Sequence, residues 1–404
     1  MTREDILKII GDGKQSITFV LDSGSMWCYD ISRHSEIGIK DYFGTDRISV
    51  KINGNTFHAV ELRTIVRAFV GVTKVLKSTF AYIGSDPEFF YEKDGVVVPS
   101  SEVLASDHTH VIRDGVQGEL NPSPDNCRQR SGARFLEALE EAIGYGMLAG
   151  ADLSLKQAVE VPDSVWDRMS DQDKEFGCNP TLNVYKEDIE KPSGTETRLR
   201  SAGGHVHISL SKAHKLRHRT FVKLLDIVVG NTLVLIDRDP ANKTRRTIYG
   251  RAGEYRLKEY GVEYRVPSNF WIRHYILWSG LAALVRNAIA LLTNGHGRAL
   301  LRHMDMDKVR EAINNNDYDL ALENYKRFIS YLDKNNLSFD VGLGLTLREK
   351  FLVWATSKNP LSYFPSNASE LRSYFEQRKV YSGRFIYDGG GFEYFLNNIV
   401  KHDS

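Results

Sequence analysis

Residues Gly203 to Leu210 read Gly-Gly-His-Val-His-Ile-Ser-Leu, and no other stretch of this 404-residue chain constrains its fold as much. In a strand, successive side chains point to opposite faces, so His205, His207 and Ser209 share one face while Val206, Ile208 and Leu210 share the other. Such a strand has a working face and a core face. Taken alone, the two imidazoles are equally well read as half-exposed surface residues.

Length leaves room for one large catalytic unit with appendages or for two to three domains. With 53 Lys and Arg against 52 Asp and Glu, nothing in the charge calls for a nucleic acid or an anionic membrane as partner. Cys28, Cys127 and Cys178 are widely separated and lack CxxC spacing, which argues against a disulfide framework or a structural zinc and for a reducing cytoplasm. Cys178 has no helper residue nearby and reads as a buried thiol rather than a nucleophile. The start lacks the order of a signal peptide, and the longest apolar run, Ile276 to Leu292, is interrupted by Arg286. The expectation is a soluble protein that is not exported.

Along the chain, short apolar runs at Ile17–Leu21, Met26–Ile31 and Ile48–Ile52 predict strands, and Asn53-Gly54 after the last of them predicts a two-residue hairpin. From Ala59 to Lys77 the spacing turns helical. A small α+β unit over residues 1–79 is therefore expected. A mixed region follows, with a helix at Ala133–Leu148. Helical spacing then dominates at Phe221–Ile236, Trp271–Leu292, Met306–Leu332, Leu347–Thr356 and Ala368–Gln377. The expected division is 1–79, a catalytic region 80–295 and a helical region 296–404.

Four short segments carry the chemistry. Asp86 and Glu88, at i and i+2 in Gly-Ser-Asp-Pro-Glu-Phe-Phe, would share a strand face, where their paired charge favours a divalent cation. An acidic turn around Pro87 is the plainer alternative. Glu119 and Asn121 repeat the arrangement, His205 adds a nitrogen ligand, and Glu263 and Arg265 alternate with inward residues in Val-Glu-Tyr-Arg-Val. A cross-strand ion pair would explain the last of these as well. Together, Asp86, Glu88, Glu119, His205 and Glu263 offer hard oxygen donors plus an imidazole, a set suited to Mg²⁺ or Mn²⁺. Arg245, Arg246, Arg251, Arg256 and Arg265 lie close by in sequence, and guanidinium groups bind phosphate oxygens in pairs. Metal and arginine together imply a polyphosphate substrate, although Glu254 and Glu259 could instead pair with these arginines on a solvated face.

These segments, in this order, resemble the glutamine synthetase superfamily, and most closely the phage-associated COOH.NH2 ligase type 2 amidoligases. Asp86-Pro87-Glu88-Phe89-Phe90 is similar to the family's Glu-Pro-Glu-Phe-Phe strand, and Gly203-Gly204-His205-Val206-His207-Ile208-Ser209 to its Gly-Met-His-x-His-x-Ser strand. Arg251 and Arg256 match its Arg-x-x-x-x-Arg pair, and Glu263-Tyr264-Arg265 its Glu-x-Arg strand. The resemblance implies an α+β fold, with a curved antiparallel sheet flanked by helices. It makes Asp86, Glu88, Glu119, His205 and Glu263 metal ligands, and assigns His207, Ser209, Arg251 and Arg256 to the nucleotide. Arg251, Arg256 and Arg265 would stabilise the transferring group. Asp86 replaces the family's first Glu, and the acid expected beside Glu119 is missing, which leaves Asn121 or the weaker candidate Asp125. Gly261 stands where glutamine synthetases carry an arginine, so the amine is expected to be larger than ammonia.

The implied reaction uses ATP with two Mg²⁺ or Mn²⁺ ions to phosphorylate a carboxylate, after which an amine attacks the acyl phosphate to form an amide or peptide bond. Small-molecule or peptide carboxylates and amines are the implied partners, in the cytoplasm, or the host cytoplasm for a phage-encoded chain. Neither a membrane nor a nucleic acid is implied, and a homo-oligomer stays open. A guanidino kinase-like phosphotransferase and a non-catalytic nucleotide-binding protein are the alternatives.

Overall fold

The computed structural model describes residues 81–335 apart from 109, 127, 175–180 and 186–196, then 337, 360–364 and 370–371, and the backbone of four strands in the first 80 residues. Those strands are β1 (Ser16–Leu21), β2 (Met26–Asp30), β3 (Ile48–Ile52) and β4 (Asn55–His58), antiparallel in the order 2-1-3-4. Ile52 pairs with Asn55, so the hairpin expected across Asn53-Gly54 forms. The helices expected at Ala59–Lys77 and Leu347–Thr356, most of that at Ala368–Gln377, and Cys127 and Cys178 lie outside the described residues.

The main sheet is built on β5 (Ile83–Lys93), whose eleven residues serve two sets of neighbours. Its first half pairs with β13 (Gly204–Ser209), its middle at Glu88 and Phe89 with β8 (Gln117–Leu120), and its last residues with β6 (Val96–Val98) and β9 (Asp152–Ser154). β7 (Val111–Asp114), β11 (Leu182–Asn183), β14 (Glu254–Lys258) and β15 (Gly261–Tyr264) complete the order 11-14-15-13-5-8-7. β10 (Ala158–Glu160) and β12 (Leu199–Ser201) pair separately, and all of these pairings are antiparallel.

Helices cover one face of this sheet. Val206, Ile208, Val262 and Tyr264 share a core with Phe135 and Leu139 of α1 (Arg128–Leu148) and with Leu281, Val285 and Ile289 of a later helix, Tyr275–Thr293. Burying each such aliphatic side chain contributes roughly 1.5–3 kcal/mol, so the period-two pattern fixes which face of β13 turns inward. The combination of antiparallel sheet and helices is α+β, as expected. Among the described residues no helix is long and apolar enough to cross a membrane, and the apolar run at Ile276–Leu292 lies within the core helix Tyr275–Thr293.

The helical layer departs from the sequence pattern at its breaks. The run Phe221–Ile236 becomes α2 (His218–Leu225), a widened turn at Asp226–Gly230 and a further turn at Asn231–Val234. Next come α3 (Ala241–Ile248), α4 (the core helix Tyr275–Thr293) and α5 (Gly297–His303). α4 begins after Trp271, because Asn269–Arg273 forms a separate 3₁₀ turn and His274 is extended, with φ −163° and ψ 140°. The single helix expected over Met306–Leu332 is two, α6 (Met306–Asn315) and α7 (Tyr318–Lys334). Asn316 adopts φ 52° and ends the first, while Asp317 caps the second by accepting the Leu320 N–H at 3.0 Å.

Candidate active site

Strand register assembles a polar face opposite the helices. His205 stands opposite Asp86, His207 opposite Glu263, Glu263 opposite Arg256, and Glu88 opposite Glu119. A tight turn at Gly115, with φ 61°, folds β7 back on β8 so that Asp114 pairs with Gln117 and Ile112 with Glu119. Because alternate residues share a face, Asp114 joins Glu119 on the polar side.

Two acid clusters result. Ligand atoms of Asp86, His205 and Glu263 lie within 4.8 Å of one another, and so do those of Glu88, Asp114 and Glu119. His205 Nδ1 lies 3.5 Å from Asp86 Oδ1, 3.8 Å from Glu263 Oε1 and 4.0 Å from Glu88 Oε1. Cations surround Glu263: its Oε1 accepts from Arg265 at 2.6 Å and Arg256 at 3.2 Å, and Lys258 Nζ is 3.1 Å from Oε2. His207 lies 2.7 Å from Asp86 Oδ2, and its Nδ1 meets the Tyr260 hydroxyl.

Charge treats the two clusters differently. Burial and the nearby charge of Asp114 push Glu88 up to about 7. Burial raises Asp114 against the pull of Arg265, and it raises Glu119 well above the carboxylate range with the help of Asp86, Asp114, Glu88 and Glu263. In the other cluster burial also pushes upward, but His207 and His205 overcome it and hold Asp86 well below its ordinary value. His205 and Arg265 likewise bring Glu263 down to about 2. Burial and Arg265 lower His205 to about 4, so its ring is neutral near neutral pH.

The clusters fit divalent cations. Bonds of about 2.1 Å around one ion place donor atoms roughly 3–4 Å apart. The contacts of His205 Nδ1 fall in that interval and are too long for good hydrogen bonds. Asp86 Oδ1 and His205 Nε2 are buried without a hydrogen-bond partner, a state that costs free energy unless something else meets them. In the Glu88 cluster, burial and neighbouring acids penalise ionisation of all three carboxyls, and a cation among them would offset that penalty.

The glycines before β13 make room for this arrangement. A Cβ on Gly203 would stand 2.5 Å from His205 Nε2, and one on Gly204 would stand 2.2 Å from the Ser268 carbonyl oxygen. Gly204 is opposite Pro87, which has no N–H, and turns its own N–H to the Pro267 carbonyl at 3.0 Å. Proline is thereby accommodated between Asp86 and Glu88 without leaving a ladder partner short.

All five acid and imidazole residues singled out by the sequence, Asp86, Glu88, Glu119, His205 and Glu263, meet here. Neither Asn121 nor Asp125 completes the Glu119 cluster. Asn121 is exposed past the end of β8, and Asp125 is buried in an ion pair with Arg134 at 3.2 Å. Asp114 takes that place, and the Asp-Gly turn at residues 114–115 was the signal that could have found it. The arginines divide. Arg256 and Arg265 reach Glu263, whereas Arg251 folds onto the end of α3, donating to the carbonyls of Arg246 (2.8 Å) and Thr247 (2.9 Å). Arg245 and Arg246 do not form a basic face. They are buried, with Arg245 on the Val266 carbonyl and Arg246 on Asn316 Oδ1 at 2.8 Å. Ser209 Oγ accepts the Tyr82 N–H at 2.7 Å. Lys258, Tyr249 and Tyr260 also touch the site and escaped the sequence reading, since none sits in a short acidic or histidine pattern.

Residues 183–339 match the family model of the phage phiEco32-like COOH.NH2 ligase-type 2, which supports the family that the motifs resemble. His205, His207, Arg256, Glu263 and Arg265 fall inside the matched segment, and Asp86, Glu88, Asp114 and Glu119 precede it. No curated protein matches the chain.

Proposed function

We propose that a chain with this family match and this pair of acid clusters is an ATP-dependent carboxylate–amine ligase. The observation that carries the reading is the adjacency of the clusters on one sheet face, with Arg256 and Arg265 gripping the acid of one of them. Asp86, His205 and Glu263 would hold one divalent ion, and Glu88, Asp114 and Glu119 a second. Bound there, Mg²⁺ or Mn²⁺ neutralises phosphate charge and aligns the phosphoryl donor.

The chain's own groups supply orientation and charge. His207, Ser209, Arg251 and Arg256 are assigned to the nucleotide, with Arg251 turning from the end of α3 toward the phosphates. Arg265 stabilises the transferring phosphoryl group. A substrate carboxylate oxygen bonds to the γ-phosphorus as the bond to ADP breaks. An amine nitrogen then bonds to the acyl carbon, phosphate leaves, and the amine gives up a proton.

The test is a panel of carboxylates and amines incubated with ATP and Mg²⁺ or Mn²⁺, scored for ADP, phosphate and product mass. Equal yields of ADP, phosphate and amide are expected. ADP with a phosphorylated product and no free phosphate would overturn the ligase in favour of a phosphotransferase, and nucleotide binding without ADP would overturn catalysis altogether.

A further inference from the structure

Glu88 is held from several sides. Its Oε2 accepts the Gly203 N–H at 2.7 Å and the hydroxyl of Tyr249, and its main-chain oxygen accepts Asn269 Nδ2 at 3.0 Å. Oε1, on the other side of the carboxylate, is 4.0 Å from His205 Nδ1. The Tyr249 hydroxyl is also 2.8 Å from the Ser201 carbonyl oxygen, yet it has one proton to donate. Gln117 Nε2 donates to that same carbonyl at 2.9 Å, so the carbonyl keeps a partner when the phenol turns to Glu88.

The buried ring of Tyr249 reaches the other cluster. Its centroid is 5.6 Å from the His205 ring and 5.3 Å from the guanidinium of Arg265, which holds Glu263. One side chain therefore touches Glu88 of one cluster, His205 of the other, and the arginine between them.

We propose that Tyr249 is a positioning residue shared by both cation sites: its hydroxyl ties down Oε2 of Glu88 so that Oε1 is the oxygen offered to the ion, and its ring seats His205 and Arg265. The inference rests on reading the acid clusters as cation sites. A ligand carboxylate fixed by a neighbour keeps one geometry, and loss of such a neighbour typically weakens metal affinity about 10–100-fold. Gln117 enters as an accessory, because without it Ser201 competes for the phenolic proton.

Calorimetric titration of metal-free protein with Mn²⁺, with free ion followed by paramagnetic resonance, tests this directly. Wild-type protein should take up two ions. Tyr249→Phe should keep its folded circular dichroism and weaken one of the two sites about 10-fold. Gln117→Leu, which leaves Tyr249 in place, should weaken the same site by a smaller factor. Tyr264→Phe, a control whose hydroxyl faces the core, should leave both unchanged. Tyr249→Phe binding both ions like wild type would overturn the role of Tyr249, as would an equal loss in Tyr264→Phe. Wild-type protein that takes up no Mn²⁺ would instead overturn the reading of the clusters, and this inference with it.

Discussion

Among the described residues, two groups of acids differ in what meets their oxygens. In the helical layer, Asp226 Oδ1 accepts Tyr264 OH at 2.8 Å and Gly253 N–H at 3.1 Å, and Oδ2 accepts Tyr185 OH at 2.8 Å. Asp237 is similarly served by Gln157 at 2.7 Å, Asn242 at 2.5 Å and Ser268. On the polar face of the sheet, Glu88, Asp114 and Glu119 instead face one another. Glu88 is as buried as Asp226 and Asp237, while Asp114 and Glu119 are half-buried, so burial alone does not distinguish a strap from a site. The arrangement of donors does: Asp226 and Asp237 have both carboxylate oxygens met by hydroxyl, amide or backbone N–H groups, whereas Glu88 is met by such donors only at Oε2 and stands among acids that could hold a cation.

The comparison breaks most visibly in activity. If the proposed function holds, Glu88→Ala and His205→Ala should each lower amide formation by at least about 10²–10³-fold while the protein stays folded, because they would remove groups that act, through the bound ions, on developing charge. Asp237→Asn should do the reverse, costing stability with turnover per folded molecule retained. Equal activity in purified Glu88→Ala and wild type would erase the distinction. Gly203→Ala comes next. Its Cβ would press on His205 Nε2 at 2.5 Å, and displacing a positioned group by about 1 Å costs turnover on the order of 10²-fold. Steady-state rates together with a thermal melt separate that loss from the roughly 1–3 kcal/mol expected for overpacking.

A third difference concerns metal and stability. Mn²⁺ at a hundred times its dissociation constant should stabilise the metal-free protein by about 2.7 kcal/mol per site in denaturant titrations. Glu119→Gln should abolish the share belonging to its cluster, and Asp226→Asn should leave both shares intact. Stabilisation that vanished in Asp226→Asn instead would show that its network, and not the facing acids, responds to the ion.

How much of this could be read from sequence follows the same division. The alternation along β5, β8, β13 and β15 named five ligand candidates, because a strand's facing depends only on its own residues. Asp114 was missed because its place depends on the turn at Gly115 and the register of β7 on β8, a relation between two strands. Arg245 was misread for a similar reason. Its neighbours in sequence are arginines and polar residues, but α3 points it to the Val266 carbonyl. The break at Asn316-Asp317 was hidden because apolar spacing runs through it, while a left-handed Asn and a capping Asp decide the backbone. Tyr249 lies 161 residues from Glu88, and nothing local announces the contact.

The smallest effect tests the other half of the comparison, the acids that serve structure. Burial raises Asp226 from its ordinary 3.8 to about 7, although the hydroxyls of Tyr185 and Tyr264 pull it downward. Between those two values the folded protein holds a proton that the unfolded chain has released, so this residue's contribution to stability falls as pH rises through the window. Asp226→Asn cannot titrate. The stability of the variant relative to wild type should therefore climb from about pH 4 to about pH 7 and then level off, with a slope of at most about 1.4 kcal/mol per pH unit. Chemical denaturation of both proteins in chelator at about pH 5.5 and 6.5 should show the gap moving by about 1 kcal/mol toward the variant. Repeating the pair with Mn²⁺ should not alter that movement, since Asp226 takes no part in either cluster. A flat gap would mean that three donors are enough to keep a buried acid ionised, and the contrast with the facing acids would then rest on geometry alone.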